Sequence, residues 1–229
     1  MTEVSRQAPA DFRESLLKFS TALLADARVS AGLPESHLAS CIRPVAPYSR
    51  MVGMAETIRL EVSEDVEHGD LSLLIRSFET PATRHPIIVI EVPPPLHGYG
   101  IFGEGSAVFA RARGFVGALV EGGVRDSHEL RDADFPTFSR AVSPGYIRGK
   151  ATAVARNQPV VVGGRTIYPG DVIMGDNDGV IIIRPTELED VIRRAQSIKI
   201  WEARIHELLG NGHDYDATIK SAGSMPMPY

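Results

Sequence analysis

Residues 86–124 read PIIVIEVPPPLHGYGIFGEGSAVFARARGFVGALVEGGV. The apolar run Ile87–Val92 suits a strand covered on both faces, and Phe115–Gly123 is a second such run. Between them SAVFARAR carries helical spacing and Gly114 stops it. Two buried strands joined through a helix form a right-handed βαβ unit by default. On the N-terminal side Ile42–Val45 and Met51–Val62 read as strands, the second with Ile58, Leu60 and Val62 in alternation. DLSLLIRSFE reads as a short helix and EDVEHGD as a polar turn. After RDSHELRDADF the chain turns mostly β, with PGD and DNDG as turns between strands. Residues 9–29 place Phe12, Leu16, Leu17, Phe19, Leu23 and Leu24 at helical spacing. Thr186 with Glu189 suggests a capping box for a last helix ending at Gly210, followed by a tail. No 20–50-residue period recurs, and one domain is expected.

Composition narrows the function classes. The 229 residues are 43% hydrophobic and 23% charged, ordinary for a soluble globular protein. The single Cys41 excludes an internal disulfide framework and a Cys-rich zinc module. A formal charge of −5 without a Lys/Arg block argues against nucleic-acid partners. No apolar run approaches the roughly 20 residues of a membrane span. The polar start is unlike a signal peptide, so a cytoplasmic chain is expected.

Gly98, Gly100 and Gly103 match G-x-G-x-x-G, and Glu121 stands where a ribose-binding acid would. The dinucleotide reading is set aside because residues 93–97 separate the strand from Gly98, whereas the turn needs its first Gly at the strand end. The loop still feeds a helix N-terminus, whose unpaired N–H groups favour a phosphate or carboxylate.

Glu104 begins that helix, and Arg125-Asp126 follows the next strand. In a parallel βαβ unit both loops lie on one sheet edge, where such sheets bind ligands. These groups should therefore converge into a site for a small carboxylate and a hard cation. The same spacing accommodates a surface ion pair with Glu104 complementing the helix dipole, and spacing alone does not separate the two. On the last helix Val191, Ala195, Ile198, Ile205 and Leu209 form an apolar stripe interrupted by Glu202, a carboxylate that needs a partner or a cation. His97 and His128 are weak candidates for a base. Asp176-Asn177-Asp178-Gly179 reads as a hairpin turn, not a calcium loop. Cys41 and Trp201 read as packing, and Met225 and Met227 as tail residues.

GEGSAVFARARGFVGALVEGGVRDSHE, FPTFSRAVSP and PVVVGGRTIYPGDVIMGDNDGVIIIRP together resemble the RraA-like family over about residues 103–185. That family contains class II pyruvate aldolases acting on 4-hydroxy-4-methyl-2-oxoglutarate and 4-carboxy-4-hydroxy-2-oxoadipate. Their signature of an acid, twenty residues, Arg-Asp, two residues and an acid is met by Glu104, Arg125, Asp126 and Glu129. The resemblance implies an α/β fold, a β/β/α sandwich of the swivelling-domain type with N- and C-terminal helices. It implies one RraA-like domain over 1–229, with an N-terminal helix in 1–30, a C-terminal helix over 186–210 and a tail over 211–229. It also implies assembly as a homotrimer or homohexamer, a 2-oxo acid substrate and Mg²⁺ or Mn²⁺.

Carried over, Asp126 would ligate the metal directly and Arg125 would hold the keto oxygen. Glu104 would bind metal waters, as would Glu202 from a neighbouring subunit. The amides of Gly103, Glu104, Gly105 and Ser106 would hold the pyruvyl carboxylate. The implied reaction is cleavage of a 4-hydroxy-2-oxo acid through a metal-stabilised enolate, with oxaloacetate decarboxylation as a side activity. The alternative is a non-catalytic ring-shaped regulator, like the family's nuclease-inhibitor branch. That branch usually lacks the Asp of Arg-Asp, so Asp126 favours an enzyme. The departures are the proline-rich loop 93–103 and ETPATRHPIIVI, which stands where members usually carry a Gly-Asp turn.

Overall fold

Alternation along the two apolar runs explains why they sit centrally. Ile88 and Ile90 face one core while Ile87 and Val89 face another, and Ala118 and Val120 part from Leu119 in the same way. A computed structural model describes residues 12–64 and 69–226. Its elements, in chain order, are α1 (Phe12–Leu16), α2 (Thr21–Ser30), β1 (Arg43–Pro44), β2 (Met51–Val62), α3 (Ser72–Ser77) and β3 (Pro86–Glu91). A 3-10 turn (Pro94–Leu96), β4 (Gly100–Phe102), α4 (Glu104–Ala112), β5 (Gly117–Val124), α5 (Ser127–Asp132) and β6 (Thr137–Val142) follow. The chain continues with β7 (Ala151–Arg156), β8 (Val160–Val162), β9 (Arg165–Ile167), β10 (Val172–Asp176), β11 (Gly179–Ile183), α6 (Leu188–Gly210) and α7 (Tyr215–Ala222).

The chain divides into two compact units, residues 37–184 and residues 1–36 with 185–229. In the first, a nine-stranded sheet runs β1-β6-β5-β3-β2-β10-β11, with β4 paired to β5 and β7 to β2. Strands β2, β3, β5 and β6 are mutually parallel. One face carries Leu74, Ala107, Ala110 and Leu130 from α3, α4 and α5. The other carries Val160, Val162 and Ile167 from the separate β8–β9 hairpin. That is the β/β/α layering expected. The ends of the strand order approach each other: Arg43 donates to the carbonyl of Asp178 at 2.8 Å, and a Cβ on Gly175 would meet the Phe138 ring at 2.6 Å.

Glu56 lies on β2 and is 3% exposed. It accepts the N–H groups of Ala82 and Thr83 and lies 3.6 Å from Arg156, holding the segment before β3. Glu56→Ala is expected to cost about 2–3 kcal/mol, because it removes a buried carboxylate that accepts two backbone N–H groups and faces the Arg156 guanidinium. A lowered urea midpoint would register this; an unchanged midpoint would contradict it.

The second unit holds the terminal helices. α2 and α6 are bridged by Arg28, whose guanidinium pairs with Glu187 and donates to the Pro34 carbonyl at 3.0 Å. Arg194 donates to the Ser30 carbonyl at 2.6 Å and to Asp190 at 2.8 Å. The hydrogen bond from Arg194, with help from Arg193, holds the Asp190 carboxyl below its usual range.

Several local expectations are corrected. The N-terminal helical stretch is two helices, because Ser20 turns extended (ψ 162°) and its hydroxyl caps Leu23 at 3.1 Å. The capping box at Thr186 does not form: α6 begins after Glu187, and Arg28 takes the Glu187 carboxylate. The stripe on α6 follows Leu188, Val191, Ala195 and Ile198 but ends on Leu208, leaving Leu209 48% exposed. Within the expected tail, α7 forms, capped by Asp214 on the Ala217 N–H at 2.8 Å. Trp201 donates to the Gly223 carbonyl at 2.9 Å, so it packs within this unit. In the larger unit DNDG is the expected hairpin turn, with Asp176 opposite Gly179. Cys41 is half-buried. Residues 9–11, residues 65–68 of the EDVEHGD turn, and Met227 lie outside the described residues.

Candidate active site

The loop after β3 and the end of β5 meet because β4 intervenes. Gly100 and Phe102 pair with Gly123 and Val124, and the Arg125 N–H donates to the Phe102 carbonyl at 2.9 Å. The segment reads in sequence as a Pro- and Gly-rich loop, and three of its residues form a strand instead. It brings the start of α4 against Arg125 and Asp126.

Asp126 is the N-cap of α5 in the left-handed region (φ 54°, ψ 44°), and its carboxylate does not cap that helix. Instead Oδ2 accepts the N–H of Glu104, the first residue of α4, at 3.3 Å. Oδ1 accepts Arg125 Nε at 3.1 Å. A non-glycine residue in this region carries a local cost. Here that backbone turn puts a carboxylate over the N-terminus of the neighbouring helix. Glu104, Gly105 and Ser106 lie in the first turn of α4, where a helix supplies no intrahelical acceptor for its N–H groups.

The glycines of G-x-G-x-x-G serve this approach. A Cβ on Gly103 would stand 2.4 Å from Asp126 Oδ2 and 2.8 Å from Arg125 Cγ. A Cβ on Gly100 would stand 2.8 Å from both Arg125 Cβ and the Ser143 carbonyl. Gly98 lends its carbonyl to the Ser143 hydroxyl.

Arg125 and Asp126 are half-exposed, with side chains 39% and 34% accessible. The Arg125 guanidinium lies 5.7 Å from the Tyr146 ring centroid, and Lys150 Nζ lies 5.1 Å from that of Tyr99. Glu104 and Glu129 are exposed. Thus Gly103, Glu104, Arg125 and Asp126 converge as the spacing predicts. Glu202 belongs to the other unit, where it is half-buried on α6.

The histidines take structural or surface places. The His97 ring meets the Val92 carbonyl at 2.9 Å, closing the loop on itself. His128 pairs with Asp132 at 3.2 Å with its side chain 83% exposed. Glu121 is engaged by Arg140 and by the Gly163 N–H, which leaves it no resemblance to a ribose-binding acid. A cavity of about 210 Å³ beside Tyr48, Arg50, Arg131 and Phe135 shares no residue with the Arg125–Asp126 constellation.

The donor set bears on a metal. Among the described residues no three or more His, Cys, Asp or Glu group around a point, so no closed metal cage exists. Mg²⁺ does not require one: it is commonly held by one or two carboxylates and keeps several waters. Asp126, accessible beside Glu104, has the chemistry for that kind of site. No helix among the described residues is long and apolar enough to cross a membrane.

The RraA-like (Aldolase/RraA) family description matches residues 21–182. Protein DlpA of Legionella pneumophila is 25% identical over 199 residues, 87% of this chain, but the chain spans only 32% of that protein's length. A Halalkalibacterium halodurans protein, provisionally named a 4-hydroxy-4-methyl-2-oxoglutarate aldolase, is 30% identical over 191 residues, 83% of this chain and 84% of that one. In structure the chain matches Streptomyces coelicolor RraAS2, described as an unusual member of the RNase ES inhibitor RraA family. The TM-score is 0.74 at 20% identity, over 86% of this chain and 97% of that one, a likeness of fold. The family thus spans aldolases and RraA proteins, and this chain belongs to the RraA-like family.

Proposed function

We propose that the chain is a divalent-metal-dependent lyase of the cytoplasm, cleaving a 4-hydroxy-2-oxo acid to pyruvate and a second oxo acid at the Arg125–Asp126 pair. The observation that carries this reading is the left-handed Asp126, whose carboxylate is turned off its own helix and onto the N-terminus of α4 beside Arg125. A surface ion pair has no need of that backbone or of a glycine cradle at Gly103.

Asp126 would hold Mg²⁺ or Mn²⁺, with Glu104 reaching its waters. When bound, the metal supplies Lewis acidity toward the keto group. The chain's own groups then do the following. At the start of α4 the amides of Gly103, Gly105 and Ser106 orient the pyruvyl carboxylate, using the positive end of the helix, while that of Glu104 faces Asp126. Arg125 donates to the keto oxygen, where negative charge develops as the C3–C4 bond breaks. Glu104, exposed at the helix start, takes the 4-hydroxyl proton through water. The Tyr146 ring against Arg125 restricts where the guanidinium can swing. Decarboxylation of oxaloacetate asks for the same charge development and belongs to the same reading. The chain would act as a homotrimer or homohexamer, with Glu202 of a neighbouring copy contributing through water.

The test is incubation with 4-hydroxy-4-methyl-2-oxoglutarate and Mg²⁺. The expected result is two pyruvates per substrate consumed, since both halves of that molecule are pyruvate. Absence of enzyme-dependent pyruvate from this compound and from oxaloacetate would sink the proposal and turn attention to protein partners.

A further inference from the structure

β5 does not run straight into Arg125. Its pairing with β6 steps from Val120↔Ser139 to Gly123↔Ala141, so Glu121 and Gly122 together oppose the single residue Arg140. This is a β-bulge with one extra residue on β5. At the same point β5 changes neighbours: its pairing with β3 ends at Val120, and its pairing with β4 begins at Gly123. Gly122 fits because a Cβ there would stand 2.5 Å from Ile101 Cδ1. Bulges bend a strand and re-aim the residues that follow it. The residues that follow this one are Arg125 and Asp126.

Glu121 pins the bulge. It is 8% exposed, and its two oxygens are divided between elements. One accepts Arg140 Nη2 on β6, and the other accepts the Gly163 N–H between β8 and β9. We infer that Glu121 and Arg140 are positioning residues: their ion pair holds the bulge that sets the direction of Arg125 and Asp126. This rests on the reading of that pair as the reacting groups. It adds that the aim of the site is set from the opposite face of the sheet, where Leu119 packs with the β8–β9 hairpin.

The experiment compares Glu121→Gln and Arg140→Lys with Glu56→Gln, a buried carboxylate remote from the bulge. Wild-type pyruvate release from oxaloacetate with Mg²⁺ is run beside them. For Glu121→Gln and Arg140→Lys, kcat is expected to fall about 10- to 100-fold with KM changed less than about twofold, as misdirection of reacting groups does. Amide hydrogen exchange should quicken over residues 120–126. Glu56→Gln should lower thermal stability and leave kcat at the wild-type value. If Glu121→Gln and Arg140→Lys lose stability only, with kcat and exchange over 120–126 unchanged, the inference is overturned. If the wild type itself releases no pyruvate, the lyase reading fails separately. Exchange over residues 120–126 then decides the role of the pair: quickened supports it and unchanged overturns it.

Discussion

Asp126→Asn is expected to lower pyruvate release at least about 100-fold while leaving the unfolding free energy from urea titration within about 0.5 kcal/mol of wild type. Asparagine matches the size of aspartate and tolerates the left-handed backbone (φ 54°) that this position requires. It can still accept the Glu104 N–H, now 3.3 Å from Asp126 Oδ2. What it loses is charge: the anion beside Arg125 and the donor a hard cation prefers. Asp126→Ala should lose activity as fully, but it adds a backbone cost of about 1 kcal/mol, because alanine is less at ease in this region. The two variants therefore separate chemistry from strain. An active Asp126→Asn enzyme would remove Asp126 from the reaction.

Gly103→Ala is the second large effect. The backbone at Gly103 is ordinary extended structure (φ −148°), so alanine meets no torsional objection. All of the conflict is with the pair itself, Asp126 Oδ2 at 2.4 Å and Arg125 Cγ at 2.8 Å from the added carbon. Both side chains are partly solvent-accessible and can move aside, which limits the loss of stability to about 1–2 kcal/mol. Moving aside, however, displaces the two groups whose placement matters most. A displacement near 1 Å is expected to reduce kcat/KM about 100-fold. Steady-state kinetics beside a thermal melt would show it; near-normal kcat/KM would mean that the reacting groups lie elsewhere.

The parallel strands were legible in the sequence because burial on both faces leaves continuous apolar runs, as in Ile87–Ile90 and Ala118–Val120. Met51–Val62 and the DNDG hairpin were equally plain. Parallel topology, which puts successive strand ends on one edge, made the meeting of Glu104 with Arg125-Asp126 legible, but β4, which makes the contact, was not. Some misses had local signals. Ser20 and Asp214 are capping residues, and Gly223 (φ 75°) closes α7, so the break in the N-terminal helix and the helix in the tail could have been read. Others had none. Asp126 to Glu129 spells an Asp-x-x-Glu cap, yet the carboxylate of Asp126 serves the helix across from it. Glu187 leaves its own helix end to pair with Arg28, 159 residues earlier. The bulge at Glu121–Gly122 depends on which strands flank β5 at each step, and the role of Gly103 depends on what faces it. Such features arise from partners distant in sequence, and periodicity carries no record of them.

If the Arg125–Asp126 edge performs metal-dependent chemistry on a 2-oxo acid, pyruvate release must depend on both the metal and Asp126. The most direct measurement is the initial rate of pyruvate release from oxaloacetate by the intact chain, with Mg²⁺, after EDTA, and after Mg²⁺ is restored, with Asp126→Asn run in parallel. The expected rate disappears with EDTA, returns with Mg²⁺ and stays at background in the variant. A rate indifferent to EDTA, or one that Asp126→Asn retains, would contradict it.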